Sequence, residues 1–134
     1  MRLTGQLDLR AHSSVVRDLP SLALVDGGTN LGHRVAVMAM QLACSRASAG
    51  SIEAVGARNS HHFGAAGYYT RLGAAKGVVA LITSSARTVL MVPTRGTLPL
   101  LGSNPIAFPL PWKTGRLCAG HRHHHHRHQQ GQGP

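Results

Sequence analysis

The sequence predicts an α/β protein organised on a βαβ unit, and three observations carry that prediction. Two short apolar runs, 51–57 and 78–82, flank a small-residue segment whose larger side chains recur at helical spacing. A second strand-like run, 21–25, leads into a longer amphipathic segment. Sixteen glycines against five aromatic residues point to backbones that approach closely through small side chains. With 134 residues, 43% of them hydrophobic, the chain can build the core of one domain.

In order, residues 1 to 20 are polar and lack a capping pattern, so they are expected to be irregular, the continuation of something rather than a designed start. Ser21 to Val25 reads as a strand. The glycine-rich turn Asp26-Gly27-Gly28-Thr29-Asn30-Leu31-Gly32 fits neither the GxGxxG spacing nor a Walker motif, and is expected to be a tight strand-to-helix connection. From Leu31 or Gly32 to Ala49, Val35, Met38, Ala39, Leu42, Ala43 and Ala47 form one stripe, with Arg34, Gln41, Ser45 and Arg46 outside it. Asn30 or Thr29 can cap this helix and Gly50 ends it. Cys44 falls on its buried side, and with Cys118 it makes no disulfide framework.

Ser51 to Ala57 is bounded by Gly50 and by the polar Arg58-Asn59-Ser60, as a buried strand would be. Ala65 to Lys76 places Ala66, Tyr69, Leu72 and Gly73 three and four residues apart and stops at Gly77. Val78 to Ile82 then supplies a second strand, parallel to the first in a βαβ unit of about thirty residues. Ligand crevices open at the carboxyl ends of parallel strands, and His62 sits on such an end. The following helix amino terminus disfavours added positive charge there, which suits a neutral imidazole that accepts a proton. His61 reads as a solvated neighbour. Thr83-Ser84-Ser85 closes the next strand, where hydroxyls either bond a cofactor or cap the turn. Further on, Pro105 forces Asn104 into an extended conformation at a strand entry.

The formal charge of +10 does not read as a nucleic-acid surface. Residues 1–111 carry ten Lys/Arg and four Asp/Glu, scattered singly and without interleaved aromatics; Lys113, Arg116, Arg122 and Arg127 lie beyond them. No run approaches membrane-spanning length, and the start lacks the pattern of a secretory signal. The expectation is a soluble, cytoplasmic protein with no nucleic-acid or membrane partner.

The ordered series Asp26-Gly27, Gly32 to Met40, Asn59-Ser60-His61-His62-Phe63-Gly64-Ala65-Ala66-Gly67-Tyr68-Tyr69 and Leu101-Gly102-Ser103-Asn104-Pro105-Ile106-Ala107-Phe108 resembles the malate/L-lactate dehydrogenase family of the non-Rossmann type. The resemblance covers about residues 1–111. It implies a mixed α/β sheet, of which this chain holds a partial domain, and hydride transfer between NAD or NADP and a small 2-hydroxy or 2-oxo acid, usually by a homodimer. His62 matches the family's catalytic histidine. Ser84 and Ser85 match a stretch near the nicotinamide cofactor, and Asn104-Pro105 an element beside the active site. From its position alone Arg58 is a nearby candidate partner of the substrate carboxylate, beside the commoner reading of a surface arginine. The family's Ser-His-Gly element has no counterpart here, so the chain is expected to be a truncated fragment, inactive alone.

Residues 112–134 are expected to be a disordered His/Arg/Gln-rich tail. Read one base later, its codons permit Asp-Ile-Ala-Thr and a closing Gly-Lys-Val, close to the family's missing cofactor loop, so a frameshift between about Pro111 and Gly120 is expected. The alternatives to a dehydrogenase fragment are an inactive pseudogene product and a metal-binding module using His121, His123 to His126 and His128. Outside that tail no metal site is expected.

Overall fold

The computed structural model describes residues 7–47, 50–85, 89, 91–100, 102–110 and 117–121. Strands β1 (Ser14–Leu19) and β2 (Leu22–Asp26) form an antiparallel hairpin across Pro20 and Ser21, with a register shift between Val15 and Arg17. The stretch before Pro20 is therefore a strand, where its polar residues predicted irregular chain. The β-branched pair Val15-Val16 favours extension, and Pro20 presets the turn. Arg46 then ties the hairpin to the first helix, pairing with Asp18 and donating to the Leu19 carbonyl.

β2 is the buried strand of its sheet: Ala23 and Val25 are fully covered while Leu22 is exposed at the hairpin end. β3 (Ala54–Arg58) lies parallel to it, with Leu22 opposite Ala54 and Asp26 opposite Arg58. The connection between them is α1 (Gly32–Ala47). The βαβ unit is thus β2–α1–β3, and the three-stranded sheet β1-β2-β3 is mixed. Gly50, with φ of +80°, stops the chain beyond α1 and donates to the Ala47 carbonyl.

The second helix, α2 (Ala66–Ala75), does not lead back to a parallel neighbour of β3. It leads to β4 (Ile82–Thr83), which pairs antiparallel with β5 (Ile106–Leu110), and β5 with β6 (Leu117–His121), in a separate sheet β4-β5-β6. The expected parallel pairing of 51–57 with 78–82 is corrected by this topology, and burial gives the reason. Only alternate residues of 78–82 face inward: Ala80 is 7% exposed, while Val79 and Leu81 are 72% and 66% exposed. The run packs one edge on α2 at Gly73 and joins a sheet only at Ile82.

β6 falls inside the 112–134 stretch read as tail, and there its five residues extend the edge that β5 presents. Residues 111–116 and 122–134, with most of the tail histidines, lie outside the described residues. No described helix is long and apolar enough to cross a membrane.

Among the described residues two clusters make the core. Val25, Val35 and Ala39 pack α1 on the mixed sheet; Met40, Cys44, Tyr69 and Ala80 pack it on α2. α1 is the shared wall, which is why its stripe of small and apolar residues is so regular. α2 ends in paired bonds, Gly77 N–H to Ala74 and Val78 N–H to Gly73, around Gly77 at φ of +76°. That turn sends 78–80 back along the helix. A Cβ at Gly73 would meet the Ala80 methyl at 2.6 Å and the Met40 sulfur at 3.7 Å. Gly73→Ala, although it adds helix propensity, is expected to destabilise the fold by about 1–3 kcal/mol through overpacking. Urea unfolding of the variant checks this; an unchanged midpoint would contradict the contact.

Candidate functional site

The site grows from the parallel register. Because Asp26 and Arg58 end neighbouring strands side by side, the Asp26 carboxylate meets Arg58 Nε at 3.0 Å and Asn59 Nδ2 at 3.0 Å. It also accepts the Gly28 backbone N–H at 2.9 Å, closing the turn after β2. The Gly28 amide first, then Asn59, hold this carboxyl below its ordinary value of 3.8; burial pushes the other way, and Arg58 adds a smaller lowering.

Main-chain bonds continue the clamp. Gly27 N–H donates to the Arg58 carbonyl, Thr29 N–H to Asn59, and His61 N–H to Asn30, at 2.9, 2.8 and 3.2 Å. Thr29 and Asn59 take left-handed φ values of 65° and 50° to make these bonds, a conformation that Asn tolerates better than Thr. Asn30, 2% exposed, donates Nδ2 to the Ala11 carbonyl and accepts the Leu31 N–H at the head of α1. Gly32 then lies so close to the next loop that a Cβ would overlap the His61 carbonyl and sit 2.7 Å from that of His62. The loops after β2 and β3 are therefore one body.

His62 leaves this body as an exposed side chain, four residues beyond the end of a parallel strand and against the first turn of α1. Its expected place at a strand's carboxyl end therefore holds, although the parallel partner is β2. The residues after it are anchored from α2. Tyr69, 1% exposed, donates its hydroxyl to the Phe63 carbonyl and stacks on Phe63 with ring centroids 5.6 Å apart. Burial, then the neighbouring Tyr68, pushes the Tyr69 hydroxyl above its ordinary 10.0, so it stays a donor at neutral pH.

His33 was missed in the sequence. Its ring stands edge-on to His62, centroids 6.3 Å apart and planes 78° apart. With Arg34 and Val37 it faces Phe63, Ala65, Tyr68 and Tyr69 across a cleft of about 580 Å³. In the sequence Arg34 beside His33 reads as helix surface, and His33 lies outside the apolar stripe as well. The usable signal was position, since the first turn of a helix in a βαβ unit lies at the same strand ends as His62.

Arg58 joins the same body, but its Nε faces Asp26; the side chain is 62% exposed. Ser84, Ser85, Asn104 and Pro105 gather instead where β4 ends and β5 begins. There Ser84 N–H donates to the Pro105 carbonyl at 3.3 Å and Asn104 N–H to Gly102 at 3.0 Å. His62 and Arg58 thus belong to the first sheet and these four residues to the second. Ser85 and Asn104 are exposed and Ser84 is half-buried. Two hydroxyls and an amide are the donor and acceptor types that the carboxamide and phosphate oxygens of a nicotinamide nucleotide would require. Among the described residues no three or more His, Cys, Asp or Glu side chains are grouped to hold a metal. The tail histidines of the metal-binding alternative, His123 to His126 and His128, lie outside the described residues.

Comparison with known proteins bears on this arrangement. A family model described as malate/L-lactate dehydrogenase matches residues 2–118, a few residues past the end of the recognised motifs. Malate dehydrogenase of Pyrococcus abyssi is 39% identical over 111 residues, which are 83% of this chain and 30% of that protein. L-sulfolactate dehydrogenase of Methanothermobacter thermautotrophicus is 34% identical over 107 residues, 80% of this chain and 31% of that protein. The crystal structure of malate dehydrogenase from Entamoeba histolytica superposes with a TM-score of 0.79 at 31% identity, covering 88% of this chain and 33% of that one. The chain spans about a third of the length of the relatives it matches.

Two outcomes test the geometry. The depressed Asp26 carboxyl contributes stability that is present above about pH 4 and is lost as pH falls through its folded value. Asp26→Asn is expected to lower Tm at neutral pH and to converge on the unmodified protein in acid; a gap that stays constant with pH would refute the clamp. Tyr69→Phe leaves the Phe63 carbonyl without its donor and is expected to cost about 1 kcal/mol. It should also speed hydrogen exchange in residues 63–66, measured by NMR.

Proposed function

The chain belongs to the malate/L-lactate dehydrogenase family, and from that membership we propose that it is the part of a 2-hydroxy-acid oxidoreductase that carries the proton-transfer histidine. The observation that carries the reading is His62, exposed beyond a parallel strand end on a loop held by backbone bonds and beside an open cleft.

Oxidation of a 2-hydroxy acid breaks two bonds to hydrogen. The C2 hydrogen leaves with its electron pair as hydride, for which a nicotinamide cofactor, NAD or NADP, would supply the acceptor when bound. The hydroxyl proton needs a separate acceptor as the carbonyl forms. His62 is that base through its neutral imidazole, and in the reverse direction its protonated ring returns the proton to the oxo group. Ser84, Ser85, Asn104 and Pro105 would hold the cofactor from the second sheet. Arg58 keeps its terminal guanidinium nitrogens for the substrate carboxylate while Nε stays on Asp26. The same arginine then links the loop clamp to substrate binding.

The substrate class is a small 2-hydroxy or 2-oxo acid, and the names of the relatives, malate and sulfolactate dehydrogenases, support an acid bearing a second anionic group. The working unit in this reading is a homodimer, which the family resemblance supports, and its compartment is the cytoplasm.

The test is absorbance of reduced nicotinamide with malate, lactate and sulfolactate and with both cofactors, on the chain joined to the rest of the domain that its relatives carry. His62→Gln is expected to lower kcat by about 10²- to 10⁴-fold, the usual worth of a positioned acid–base group. Full turnover in that variant would overturn the assignment.

A further inference from the structure

We infer that His33 is a positioning residue for His62, its ring holding the imidazole of His62 in one rotamer; the catalytic meaning of this rests on the proton-transfer reading above. His62 is exposed, so its backbone is fixed while solvent alone would let its side chain turn. The loop supplies the fixed backbone: His61 N–H bonds Asn30, and Phe63 accepts from Tyr69.

What stands beside the ring is His33, and three features fix it. Its neighbour Gly32 is locked against the His61–His62 main chain, which sets where the first turn of α1 begins. The two rings meet edge to face, 78° apart with centroids at 6.3 Å, the arrangement in which the positive edge of one aromatic meets the negative face of another. Gly64, left-handed at φ of +77°, leaves the room: a Cβ there would lie 2.7 Å from His33 Nε2. His33, itself exposed, thus has Gly64 on one side and His62 on another, and also forms a wall of the cleft. An edge contact of this kind biases a rotamer population by about 2- to 10-fold.

The contact is one of shape and ring electrostatics, so an aromatic ring without nitrogens should replace it. NMR of the chain with labelled histidines is expected to show nuclear Overhauser contacts between the two rings and β-proton couplings of a single His62 rotamer. His33→Ala should average those couplings and His33→Phe should restore them. Averaged couplings in the unsubstituted chain would overturn the inference, as would a single rotamer surviving in His33→Ala. Should His33→Ala fail to fold, the ring-to-ring contact and the couplings of His33→Phe decide alone. In the joined domain, His33→Ala should lower kcat by about 2- to 10-fold with KM unchanged, as loss of orientation does. If the rotamer results hold while His62→Gln keeps full turnover, it is the proton-transfer reading that fails and the positioning that stands.

Discussion

One register pairing underlies the site: Asp26 opposite Arg58 at the ends of two parallel strands. Parallel strands deliver both carboxyl ends to the same side, so a single carboxylate can bind a guanidinium, an amide and a turn N–H together. Within that set the ion pair contributes little by itself, as surface pairs do, because the Arg58 side chain is exposed. Its importance is positional, because it brings the two following loops within reach of main-chain bonds. Each loop alone would be a short glycine-rich or histidine-bearing turn with many conformations. Joined, they supply a rigid edge from which His33 and His62 project.

The sequence made part of this legible. The stripe of α1, its end at Gly50, and the glycine stop after α2 follow from spacing that local physics fixes. His62 was placed correctly relative to a strand end, for a partly mistaken reason. The βαβ unit drawn around α2 rested on an apolar run, 78–82, and such a run has no signal for which sheet it joins. Its inward residues serve α2, and only long-range pairing with β5 decides the rest. β1 escaped notice because an edge strand exposed along its whole length has no hydrophobic alternation to detect. His33 escaped because its neighbour is 29 positions away and nothing local marks a helix residue as facing a loop.

The two sheets divide the candidate residues between them, and the helices join the halves: α1 backs the mixed sheet and α2 bridges to the antiparallel one. Geometry between the halves therefore depends on the α1–α2 contact, at Met40, Tyr69 and the glycine-for-alanine fit at Gly73. The antiparallel side carries exposed apolar residues, Val79, Leu81, Ile106 and Phe108 among them. Such faces favour association. The mixed sheet, with Ala23 and Val25 fully covered, is the half that holds His62.

The missing side chain at Gly32 has a consequence for anyone who would graft this histidine loop onto another scaffold. Its carbonyls occupy the volume that a methyl would take at the helix head, so the segment has no self-sufficient shape. Transplanting residues 59–64 alone would carry the chemistry without its mould. The portable unit is two pieces of chain far apart in sequence, the glycine turn with the start of its helix and the histidine loop, which have to be moved as a matched pair.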